Sequence, residues 1–126
     1  MPRVVALYRY PVKGFTPEHC TTLSVLPEGR AAGDRVLALR FANAPVADDQ
    51  WCRKYEGIVL ANTPGLARLT TQFDHRELRL KIALGSQVLA DEKLDAAGRG
   101  RLVDALTAYV LSLKEHPLRN HPDRLH

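Results

Sequence analysis

The sequence predicts a mainly β fold with one late α-helix (α+β). The expected form is a small antiparallel β-barrel or curled sheet covered by a C-terminal helix. Three observations lead there. Short runs rich in Val, Leu, Thr and Tyr recur between Pro- and Gly-marked turns over most of the chain. Residues 67–84 alternate apolar and polar with a period of two, the pattern of strands with one buried face. From Leu102 the apolar period lengthens to that of a helix.

Residues 3–10 form the first expected strand, closed by Tyr10-Pro11. Pro fixes its own φ and pushes the residue before it towards an extended conformation. Residues 19–26 form the second, broken by Leu26-Pro27-Glu28-Gly29, and residues 35–42 the third. Asp48, Asp49, Gly57 and Asn62-Thr63-Pro64 make 43–65 a loop region around one short helical turn. Ala67, Leu69, Thr71 and Phe73 then alternate with Arg68, Thr70 and Gln72. After a turn at Asp74-His75-Arg76, Leu78, Leu80, Ile82 and Leu84 share one face opposite Glu77, Arg79 and Lys81. That pair reads as a half-buried antiparallel hairpin. Gly85-Ser86 turns the chain into a strand at about 87–91. Leu102, Leu106, Tyr109, Val110 and Leu113 line one face of a helix over about 99–115, which Pro117 closes by position. Leu78, Leu80, Ile82, Leu106 and Val110 are the expected core, and the helix is expected to cover an open end or edge.

The chain has 126 residues, 45% hydrophobic and 25% charged, enough for one core and too few for two typical domains. Its formal charge of +4 comes from scattered cations, interrupted by Asp48-Asp49 and Asp91-Glu92, so no basic stripe for nucleic acid emerges. Aromatics at 6%, with Trp51 the single Trp, argue against base-stacking platforms. Met1-Pro2-Arg3 does not open a signal peptide, and no apolar run approaches the roughly 20 residues of a membrane span. The expected location is the cytoplasm, with Cys20 and Cys52 as unbridged thiols.

Two segments carry the functional signal: Tyr10-Pro11-Val12-Lys13-Gly14 and Gly33-Asp34-Arg35. Each sets a cation in a turn against an apolar, strand-like run. Turn cations are usually just solvated, so the pair alone defines no site. Arg would offer a planar fork of donors and Lys a compact charge to a shared anion. In order, Leu7-Tyr8-Arg9-Tyr10-Pro11-Val12-Lys13-Gly14, a strand, Gly33-Asp34-Arg35 and another strand resemble the start of the MOSC-type N-terminal β-barrel domain. That domain precedes the MOSC domain in the mitochondrial amidoxime reducing component and its bacterial relatives, and in the C-terminal regions of molybdenum-cofactor sulfurases. Thr63-Pro64-Gly65-Leu66-Ala67-Arg68-Leu69 is similar to the family's "Pro-x-Leu-Ala-x-Leu" segment. The resemblance spans roughly residues 3–90 and is poor over 40–60.

The resemblance implies that Lys13 and Arg35 reach the pterin-phosphate end of a molybdenum cofactor. Gly14 stands where the family has Ser, so a hydroxyl donor is lost while the backbone N–H can still approach a phosphate. Lys13, Gly14 and Arg35 are therefore the expected cofactor-binding residues, with no catalytic residue and no metal ligand. Asp34 reads as a turn residue or a partner for Arg35. The family's metal-ligating cysteine lies in the MOSC domain, so Cys20 and Cys52 are read as structural or incidental. His116, His121 and His126 recur at intervals of five, which spreads them around any helix axis. No phosphate loop, zinc-binding helix or nucleophile elbow occurs.

The resemblance divides the chain into a barrel domain at 1–115 and a polar tail at 116–126, the start of a linker to a missing second domain. Its expected role is to help form the cofactor and substrate cleft of an oxidoreductase or sulfur-carrier protein. On this reading the isolated chain holds no cofactor and is not catalytic alone. Its partner is the missing MOSC domain or a partner subunit, with no nucleic acid or membrane and a possible homo-dimer. The alternative is a free-standing, non-catalytic barrel used for protein–protein contact.

Overall fold

The structure is a computed structural model and describes residues 3–39 and 57–114. The first hairpin pairs β1 (Leu7–Arg9) with β2 (Glu18–Cys20), in the register Leu7↔Cys20, Tyr8↔His19 and Arg9↔Glu18. Both strands are shorter than the 3–10 and 19–26 expected. Val4 and Val5 precede β1 at 75% and 84% exposure, so their strand-forming side chains meet no partner face among the described residues. After Cys20 the chain leaves the ladder. Around Pro27-Glu28-Gly29, Val25 and Ala31 form one isolated bridge, and Leu26 N–H donates to Arg30 O at 2.7 Å.

The third expected strand, 35–42, is not a regular strand over its described part, 35–39. Those residues instead run parallel to 10–13, with a bridge between Val12 and Leu37. Pro11 has no N–H to give a ladder, and its carbonyl accepts from both Val36 N–H (2.9 Å) and Leu37 N–H (3.2 Å). Arg35, at φ +49°, breaks the extended conformation just before.

The meander follows the sequence closely. β3 (Leu69–Asp74), β4 (Arg79–Leu84) and β5 (Gln87–Lys93) pair antiparallel in that order. Leu69, Thr71 and Phe73 are buried while Thr70, Gln72 and Asp74 are exposed. Leu80 and Ile82 face the core. Leu78 does not: it sits in the turn before β4 at φ +50° and is 53% exposed. Asp74 explains this, because its Oδ1 accepts from Arg76 N–H and Glu77 N–H and widens the turn, so pairing resumes only at Arg79. A bulge at Ile82/Ala83 then shifts the β4–β5 register, leaving Ala83 buried and Leu84 half-buried.

Helix α1 spans Ala96–Leu111, starting and ending a few residues before the expected 99–115. Asp95 caps it, its carboxylate accepting from Gly98 N–H at 2.7 Å. Leu102, Leu106 and Val110 are buried at four-residue intervals and α1 packs along β5. Tyr109 Oη donates to Gly65 O at 2.7 Å, tying the end of α1 to the short 3-10 helix Pro64–Arg68. The tail and Pro117 lie outside the described residues.

One core joins these parts. Val12, Phe15, Leu39, Ile58 and Leu66 pack with the inner face of β3–β5 and the buried stripe of α1. The two sheets do not close into a barrel among the described residues, and the molecule is α+β with antiparallel sheets and a C-terminal helix.

Candidate functional site

The two marked turns lie side by side. Arg35 N–H donates to Tyr10 O, Leu37 N–H to Pro11 O and Lys13 N–H to Leu37 O, the last at 2.8 Å. Arg35 is thus level with Tyr10, and Lys13 lies three residues further along the pair, roughly 10 Å at strand rise. Gly33 at φ +80° and Arg35 at φ +49° give the second turn its left-handed backbone, which Gly takes freely and Arg takes at a cost. Asp34 holds this turn: Oδ1 accepts from Tyr10 N–H at 2.7 Å and Oδ2 from Arg35 Nη1 at 2.9 Å. The Arg35 guanidinium lies 5.9 Å from the Tyr10 ring centroid. Lys13 is half-buried.

Gly14 has a packing role. A Cβ there would overlap the Val59 side chain, whose Cβ lies 2.6 Å away, and the backbone is already at φ +73°. Its carbonyl accepts from Leu60 N–H at 2.7 Å. A serine at this position would have to displace Val59.

Two features escape sequence reasoning. The first is Arg9 with Glu18. Arg9 Nε donates to Glu18 Oε1 at 2.8 Å, Nη1 to Ala32 O at 2.9 Å, and Nη2 to Phe73 O. Glu18 Oε1 also accepts from Phe73 N–H at 3.2 Å. One guanidinium therefore bolts the first hairpin both to β3 and to the residue preceding Gly33. Gly33 is glycine partly for this reason, since a Cβ there would come within 2.9 Å of Arg9 Cζ. The available signal was Arg9 sharing the inward side of β1 with Leu7, a charge where the alternation calls for an apolar residue.

The second is a half-open depression of about 400 Å³, lined by Gly29, Arg30, Ala31, Asp34 and Arg35. Nothing in the spacing of Arg30 and Arg35 announces it, because the turn around Gly29 brings them together.

Cys20 is a free, half-buried thiol whose pKa burial raises; the Glu18 charge raises it further, while Arg9 lowers it. That is the opposite of an activated nucleophile. Cys52, His116, His121 and His126 lie outside the described residues. Among the described residues no three His, Cys, Asp or Glu side chains gather to hold a metal ion, and no helix is long and apolar enough to cross a membrane.

Fold and turns together define a small β-rich domain with a pair of adjacent, glycine-shaped turns that each bear a cation. The family model for the MOSC N-terminal beta barrel domain matches residues 1–109, and the chain belongs to that family. No curated protein and no solved structure matches it.

Proposed function

We propose that this domain supplies one wall of the cofactor and substrate cleft of a MOSC-type molybdenum protein of the cytosol, the other wall coming from a MOSC domain or partner subunit. The supporting observation is the parallel, hydrogen-bonded pairing of residues 10–13 with 35–37, which keeps the Lys13 and Arg35 turns adjacent. The donor set suits the phosphate end of a pterin cofactor: a point charge from Lys13 and the remaining fork of Arg35, with Asp34 fixing the guanidinium from behind. Gly14 contributes backbone only. When bound, the cofactor supplies two-electron reduction or sulfur transfer at molybdenum, and this chain's residues bind and orient it. Charge-assisted bonds of about 1.5–3 kcal/mol each, on an open half-site, make the isolated domain a weak binder.

The test joins this domain to a MOSC domain and measures molybdenum and pterin per protein. The double variant Lys13→Ala/Arg35→Ala is expected to lose most of both while remaining folded. Retention equal to the parent refutes the cofactor role of these residues. A second reading, a non-catalytic interaction module, is favoured by the exposed Val4, Val5 and Val25. It takes over if retention is unchanged.

A further inference from the structure

We propose that Arg30 and Arg35 together form an oxyanion site of the phosphate class, in the depression between residues 29–31 and 34–35. The inference rests on Arg35 facing a ligand, as above, and adds Arg30, which the cofactor reading does not use.

Three observations carry it. The turn around Gly29, closed by Leu26 N–H on Arg30 O and by Ala32 N–H on Ser24 O, sets Arg30 in the lining of the same depression as Asp34 and Arg35. Both guanidinium-bearing residues then line one half-open space of about 400 Å³, ample for a phosphate-sized anion. The two arginines are also held unequally. Arg35 is fixed by Asp34 at 2.9 Å, and Asp34 is itself anchored on Tyr10 N–H, so Arg35 is a preset donor with one Nη occupied. Arg30 meets Glu28 at only 3.5 Å, with both side chains more than half exposed. Such a pair is weak and easily exchanged. An arriving dianion would take the guanidinium of Arg30 from Glu28 and share the remaining donors of Arg35, a fork-to-oxyanion geometry that Arg favours. The left-handed backbone of Arg35 fits this reading, because non-glycine residues held in that region concentrate at ligand-binding turns.

The two carboxylates make a specific forecast. Glu28 competes with the ligand and Asp34 positions Arg35, so removing their charges has opposite effects.

The experiment titrates inorganic phosphate into the full chain at constant ionic strength, balanced with chloride, and follows backbone amides of residues 29–35 by NMR. Arg30→Ala is expected to weaken binding about five- to tenfold, a loss expected of charge-assisted contacts in an exposed setting. Glu28→Gln is expected to tighten it about twofold by freeing Arg30. Arg99→Ala, an exposed cation on α1, is expected to leave it within about twofold, since Arg99 does not line the depression. The side chains of Glu28, Arg30 and Arg99 are exposed, and preserved amide dispersion certifies each variant as folded. Phosphate affinity unchanged in both Arg30→Ala and Glu28→Gln overturns the inference. So does an equal response of the same amides to chloride alone. If Lys13→Ala and Arg35→Ala weaken binding while Arg30→Ala does not, the added site falls and the cofactor reading of Lys13 and Arg35 stands.

Discussion

Replacing Arg9 by Met tests whether one part-buried ion pair holds the two sheets together. Methionine keeps an apolar stem in place but removes the guanidinium from Glu18, Ala32 O and Phe73 O. Glu18 then retains one described donor, Phe73 N–H, at 3.2 Å. The side chains of Arg9 and Glu18 are only 14% and 16% exposed, so water replaces the lost contacts incompletely. Breaking a buried pair by removing one partner costs about 3–5 kcal/mol, and the residual exposure puts this case near the lower end, about 3 kcal/mol. For a domain of this size that lowers Tm by about 10 °C. Urea unfolding followed by circular dichroism measures it. Glu18→Gln completes a double-mutant cycle, with an expected coupling of about 1–3 kcal/mol because the pair is in direct contact. A loss under about 1 kcal/mol for Arg9→Met, or additive single effects, refutes the bolt.

Leu80→Ala is expected to cost about 2–5 kcal/mol in the same assay, because Leu80 is fully buried, whereas Leu78→Asn in the widened turn is expected to be neutral or mildly stabilising. Asp95→Ala removes the cap of α1 and should cost about 1 kcal/mol, with reduced helical signal at moderate urea. Cys20, its thiol raised by burial and by the Glu18 charge, stays protonated through neutral pH. Its iodoacetamide rate should rise at higher pH than that of a free thiol, and Glu18→Gln should move that rise back down.

The local periodicities were legible because they answer to local causes. Residues 69–74 and 79–82 alternate because a pleated strand exposes alternate side chains, and Leu102, Leu106 and Val110 mark a helical face. The two turn motifs were legible for the same reason: Pro11, Gly14 and Gly33 restrict or free φ wherever they stand. Leu78 shows the limit. The alternation placed it on the core face of β4, whereas the Asp74 hydrogen bonds widen the turn and leave it outside the strand and exposed.

Pairings across long separations were not legible. That residues 35–39 run parallel to 10–13 depends on Pro11 lacking a donor and offering its carbonyl twice, which no periodicity reports. The bolt from Arg9 to Phe73 joins residues 64 apart. By itself the sequence determined the fold class, the meander of residues 69–93, the C-terminal helix and the two cation-bearing turns. Beyond the hairpins of the meander, tertiary structure alone decided which distant segments meet. A residue's backbone preferences are properties of its neighbours in the chain, whereas the partner of a buried charge is set by which distant segment closes over it.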